Sequence, residues 1–188
     1  MKVSPVLLIT VLPIFFVPLF VANSCKSYSE GSCGRNDCRT EQDKTSVAFY
    51  SIISKNFALP PVGRTFVYDI VVTNNGNGYS KKTGIFTAPH PGVYVFSWTL
   101  VAAGQHVAGT KGDFGEITTH ILQNDVIRGT LHTDTEKQGD DGTSTGFVIL
   151  NLEKDDAVKI SSARWNGQGS AYSNEDNGRW SFSGFKIA

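Results

Sequence analysis

Three cysteines, four histidines and a short run of carboxylates are the groups in this 188-residue sequence with the chemistry to coordinate, cross-link or transfer. Cys25, Cys33 and Cys38 hold all the sulfur chemistry of the thiol kind, and none follows residue 38. In an oxidising compartment three thiols leave an odd one after any internal pairing, so at least one is free or joins another chain. Covalent linkage between chains is the preferred reading, with an internal bridge and one idle thiol as the alternative. Zinc is the runner-up, but a lone Cys-x4-Cys with no nearby His lacks the ligands of a closed tetrahedral site. His120 and His132 fall on adjacent strands of a hairpin turning at Asn124-Asp125. A two-residue turn sets His132 opposite Ile117, about three residues from His120, which favours ordinary cross-strand packing over a metal pair. Asp134-x-Glu136-x-Gln138-Gly139 opens like a calcium loop but carries Thr145 where a bidentate acid belongs. Asp134, Glu136, Asp140 and Asp141 therefore read as a solvated loop, with calcium kept as an alternative cofactor to which no ligands are assigned.

Catalytic patterns are missing. The sequence has no His-Glu-x-x-His and no phosphate loop, and Asp113-Phe114-Gly115 lacks the partners a kinase tripeptide needs. The expectation is a protein that binds rather than an enzyme. Arg164, Trp165, Tyr172 and Arg179 cluster with Asn166, Asn174 and Trp180 around a Gly-rich loop, a mixture suited to a sugar or protein interface. The competing reading makes the tryptophans strand-end packing.

The elements that must position these groups are strands. From Gly92 to Leu100 the residues alternate, so Tyr94, Phe96, Trp98 and Leu100 share one face and Val93, Val95, Ser97 and Thr99 the other. Pro89, Pro91 and Gly92 before it make a tight corner. Further extended runs cover 47–53, 66–73, 117–123, 126–133, 145–152, 157–165 and 179–187, separated by turn signals such as Asn74-Asn75-Gly76-Asn77-Gly78. Roughly nine or ten strands and no convincing amphipathic helix predict an all-β sandwich or barrel of the jelly-roll kind. Within 145–152, Phe147 and Ile149 occupy one face and Val148, Leu150 and Leu152 the other. A sandwich strand needs one buried face, so the second suggests either a subunit interface or a covering loop.

Composition bounds the rest. Seventeen basic residues balance seventeen acidic ones, leaving no field to gather phosphates, so nucleic acid is not an expected partner. Residues 1–24, apolar after Lys2 and ending in Ala22-Asn23-Ser24, read as a secretory signal with Cys25 near the first mature position. Pro13 and Pro18 weigh against a membrane anchor, and no basic stop cluster follows. Residues 25–46 are polar and hold the cysteines, and 47–188 form the globular domain. The expected location is extracellular, with no membrane insertion after signal cleavage. No Asn-x-Ser/Thr sequon occurs.

The spacing of aromatics around the central strand resembles that of the C1q family, the globular head of the first complement component and its relatives. The matching positions are Tyr68, Asn74, Tyr79, Phe86, Gly92, Tyr94, Phe96 and Trp98, with Phe182, Gly184 and Phe185 in the family's last strand. Tyr68 stands where Phe is usual, and Trp98 where Phe or Tyr is usual. The resemblance covers about residues 46–188 and implies a ten-stranded jelly roll of the C1q/TNF type that assembles as a homotrimer. Many relatives carry a collagen stalk, but no Gly-x-y repeat is present, so collagen-dependent functions are not carried over. The layout is similar to short secreted members that act as lectin-like recognition proteins in innate immunity, and to the cerebellin type, in which cysteines before the head link trimers. Two functions follow as expectations: multivalent binding of glycans or microbial surfaces, or signalling and matrix contact through a protein receptor.

Overall fold

The computed structural model describes residues 46–58, 61–103, 116–135, 140–163 and 170–187. Twelve extended elements run along them: β1 (Ala48–Ile52), β2 (Phe57–Ala58), β3 (Ile70–Asn75), β4 (Tyr79–Ser80), β5 (Ile85–Thr87), β6 (Gly92–Ala103), β7 (Ile117–Gln123), β8 (Val126–Thr133), β9 (Asp141–Leu152), β10 (Ala157–Ser162), β11 (Ser170–Ala171) and β12 (Ser181–Lys186). β1 pairs with β12 and β2 with β11, so each pair of short pieces is one interrupted strand. The described residues then form ten strands in two antiparallel layers: β3, β1/β2, β12/β11, β6 and β9 in one, and β4, β5, β10, β7 and β8 in the other. This is the all-β sandwich expected. Among the described residues no helix is long and apolar enough to cross a membrane.

The alternation along β6 sends Tyr94, Phe96, Trp98 and Leu100 between the layers, each at most 1% exposed. Phe49 is the hub they meet, stacked on Tyr79 and on Phe86 at 5.0 Å and edge-on to Phe182 at 4.9 Å. Each such pair adds about 0.5–1.5 kcal/mol beyond area burial. Gly92 enters the strand with φ 147°, a backbone conformation that favours glycine. Gly184 lies opposite Phe96 in the ladder, and a Cβ there would sit 2.6 Å from the Phe96 ring. Phe185, grouped with the core positions on sequence, instead faces outward and is 51% exposed. Phe182 and Gly184 point inward, and period-two alternation carries Phe185 to the other side.

Asn74 and the two tyrosines act through hydrogen bonds. The Asn74 side chain donates to the Tyr79 carbonyl at 2.9 Å and accepts from the Tyr79 amide at 3.1 Å, closing the turn at Gly76-Asn77. The Tyr79 hydroxyl accepts from the Tyr68 amide at 3.0 Å and donates to the Tyr68 carbonyl at 3.1 Å. The Tyr68 hydroxyl is buried and meets no hydrogen-bond partner among the described residues. Burial, with the neighbouring Tyr79, pushes its pKa well above the ordinary tyrosine value. Tyr68→Phe is therefore expected to leave stability unchanged or raise it by up to about 1 kcal/mol. Tyr79→Phe strips a buried N–H and C=O of their partner and is expected to cost about 1–3 kcal/mol. Urea midpoints of the two variants, measured side by side, check the order.

Two carboxylates brace turns. Asp156 accepts from the Asn124 side chain at 2.7 Å, the Gln123 side chain at 2.8 Å and the Glu153 amide at 3.0 Å. Those bonds, Asn124 foremost, hold its carboxyl below the usual range, with a smaller contribution from the Arg128 charge. Partial burial pushes the Asp69 carboxyl up, but bonds from the Ser54 hydroxyl and amide and from its own amide, with the charge of Lys55, bring it below the usual range. Both groups titrate lower in the folded than in the unfolded chain. Their stabilisation is present above the unfolded value of about 3.9 and is lost as pH falls through the folded values. The urea midpoint is expected to drop below about pH 4, and to drop less in Asp69→Asn/Asp156→Asn.

Candidate functional site

The residues that alternate away from the core on β6, β9 and β12 form an uncharged face on the first layer. The registers place Ile187 beside Val93, then Phe185, Val95 and Ile149 in one row across three strands. The next row is Tyr50, Ser183, Ser97 and Phe147, and the one after is Ser181, Thr99 and Thr145. Phe147 is 64% exposed and Ile149 58%. The strand that read as apolar on both sides thus sends Val148 and Leu150 against the core and leaves Phe147 and Ile149 outside. Toward Thr99 the face turns to hydroxyls, with the Thr99 and Thr145 oxygens 3.3 Å apart and Ser97 donating to the Gly146 carbonyl at 3.0 Å. Apolar surface without charge, in line on three strands, can bind another apolar surface and has no means of acid–base or nucleophilic chemistry. Sequence reasoning reached Phe147 and Ile149 and set Val95 on the outer face of its strand, but missed Phe185. Its signal was present in the period-two pattern of its strand, while the alignment of the strands was not.

The other candidate groups are dispersed. His132 lies opposite Thr118, not Ile117, because a bulge between Ile121 and Leu122 adds one residue to β8. That slip brings His132 to the same face as His120. Its ring Nδ1 is 2.8 Å from the Thr118 hydroxyl and its Nε2 3.6 Å from a Glu116 oxygen. Among the described residues no group of three His, Cys, Asp or Glu side chains is placed to hold a metal ion. In the acidic cluster, Asp134 and Asp140 are exposed and Asp141 begins β9 opposite Ala103, so Asp141 belongs to a strand. Glu136 lies outside the described residues, as do Cys25, Cys33, Cys38, Arg164 and Trp165. Tyr172 is partly buried against the core, and Arg179 bonds Glu175 at 3.1 Å and the Ser54 carbonyl at 3.5 Å.

Comparison with known proteins decides the family. The model of the C1q domain matches residues 48–187. The chain belongs to the C1q family. This C1q domain is 33% identical over 144 residues to the mouse (Mus musculus) collagen alpha-1(X) chain, covering 75% of the present chain and 18% of that protein. It is 28% identical over 142 residues to human (Homo sapiens) complement C1q tumor necrosis factor-related protein 3, covering 75% and 51% of the two. The chain therefore spans about half, or less, of the length of these relatives. Among solved structures, the globular domain of zebrafish complement 1qA protein superposes with a TM-score of 0.57 at 18% identity, covering 76% of this chain and 98% of that one. Eiger TNF from S. frugiperda superposes with a TM-score of 0.51 at 14% identity, covering 76% and 93%. These two likenesses establish the C1q/TNF-like fold of this C1q domain.

Proposed function

We infer that this C1q domain is the head of a secreted, non-enzymatic recognition protein that assembles as a homotrimer and binds glycans or microbial surface groups multivalently. The uncharged face on which Phe185, Ile149 and Phe147 stand exposed carries the reading, because so much exposed apolar surface on one side of a single chain calls for a partner. A second copy always brings the same chemistry, and the family resemblance implies three. Three heads give weak individual sites an avidity gain of about 10²–10⁴ without any new contact. Cys25, Cys33 and Cys38 would join trimers into larger assemblies. Similarity to a C1q tumor necrosis factor-related protein supports the second reading, in which the trimer engages a protein receptor.

Light scattering on the mature protein, with and without reductant, tests the assembly. A trimer mass that survives reduction supports head-driven association, and a larger reducible species assigns linkage to the cysteines. A monomer under both conditions sinks the trimer and the avidity mechanism together. Glycan-array binding separates the two ligand classes: an empty array beside saturable binding to a cell-surface protein favours the receptor.

A further inference from the structure

The uncharged face on β6, β9 and β12 changes character along its strands. Phe185, Val95 and Ile149 make one end apolar, and Phe147 stands at the margin. Beyond it the same strands carry hydroxyls, Ser183 beside Ser97 and then Ser181, Thr99 and Thr145 in one row. Ser97 and Ser183 are already committed, donating to the Gly146 carbonyl at 3.0 Å and to the Ser97 carbonyl at 3.4 Å. The other three are not. Thr99 and Thr145 share one hydrogen bond at 3.3 Å, which leaves one proton of the pair unused, and the Ser181 hydroxyl bonds no group among the described residues. Thr145 is exposed, and Thr99 and Ser181 are half-buried, so anything that covers the face covers all three.

Apolar contact is non-directional and lets two such faces slide or turn on each other. Hydroxyls are directional, and one shut away from water without a partner is destabilising. A hydroxyl also both donates and accepts, so an identical row can satisfy it, whereas a row of like charges would repel its own copy. The three rows contain no charged side chain that could select a partner by another route. We propose that Ser181, Thr99 and Thr145 bond the same residues of neighbouring copies and thereby fix the register and number of copies, while Phe147, Ile149 and Phe185 supply the strength. The proposal rests on the reading that copies associate through this face. It makes the three hydroxyls specificity determinants: a head with apolar side chains at these positions is refused, because it leaves its neighbour's hydroxyls buried without partners.

The test compares the full mature protein with Ser181→Ala/Thr99→Val/Thr145→Val. Replacing both members of the Thr pair leaves neither unpaired, so the urea midpoint is expected to stay where it was. Sedimentation velocity is expected to resolve several coexisting species for the variant where the unaltered protein gives one, with association no weaker. When the variant is co-expressed with a tagged unaltered chain, native mass spectrometry is expected to find hybrid assemblies about ten-fold below their statistical share. Ser181→Ala alone, which breaks no bond among the described residues, repeats the mixing experiment if the triple variant unfolds. A variant that keeps one species of the unaltered mass and mixes statistically overturns the proposal while association through the face stands. An unaltered protein that is monomeric overturns the association and the proposal together.

Discussion

Phe147→Asp/Ile149→Asp is expected to run as a monomer under conditions where the unaltered mature protein runs as a trimer. Each replaced side chain stands free of its own core, so burying it against a neighbour is worth about 1.5–3 kcal/mol. A carboxylate in its place would enter the contact without a partner, and the charged form resists that desolvation strongly. Two such changes on every copy displace the association by well over about a thousand-fold in concentration. Because both side chains point away from the sandwich, the urea midpoint of the isolated head should move by no more than about 0.5 kcal/mol equivalent. Sedimentation velocity reads the first effect and denaturation the second. A persistent trimer would show that another surface holds the copies together.

The other large effect lies inside. Trp98 is buried and its indole N–H donates to the Thr119 hydroxyl at 3.0 Å, while its ring lies over Gly146, its partner in the ladder. A Cβ built on Gly146 would stand 2.6 Å from Cη2 and Cζ2 of that ring and 2.7 Å from Cε2, so the ring must shift to admit any side chain. Trp98→Ala is expected to cost about 3–5 kcal/mol, part of it the buried Thr119 hydroxyl left without its donor. Gly146→Ala alone is expected to cost about 1–3 kcal/mol by forcing the indole aside. With Trp98 already removed, the added methyl should cost far less, so the double-mutant cycle should show coupling of about 1 kcal/mol or more. Additive costs, measured by urea unfolding, would refute the close approach as the cause.

Much of this was legible in the residues themselves. Alternation in β6 fixed which aromatics turn inward, since side-chain direction in a strand depends on parity alone. The same rule, applied across β12, would have moved Phe185 outside, but grouping it with Phe182 and Gly184 by resemblance hid its parity. His132 was misplaced because a single bulged residue reverses every side chain beyond it, and nothing in Val126–Thr133 announces a bulge. The uncharged face depends on which strands lie side by side. β6 meets β9 and β12 through pairings between distant parts of the chain, which local pattern cannot encode. Gly146 carried a faint signal, as a glycine inside a strand marks close approach by something large.

The pairing of β1 with β12 has a consequence for synthesis. Residues 48–52 lie between β3 and β12, the last of the described strands to be made, and β12 also bridges β1 to β6. The first layer cannot close until residues 181–186 are available, so the head folds only once its whole domain has been made. Contacts spanning nearly the whole domain carry a large loop-closure cost and make for slow folding. Until that closure, the apolar strand β6, paired with β9 on one side, waits with its β12 neighbour missing, which is the interval in which the growing chain most needs protection from aggregation.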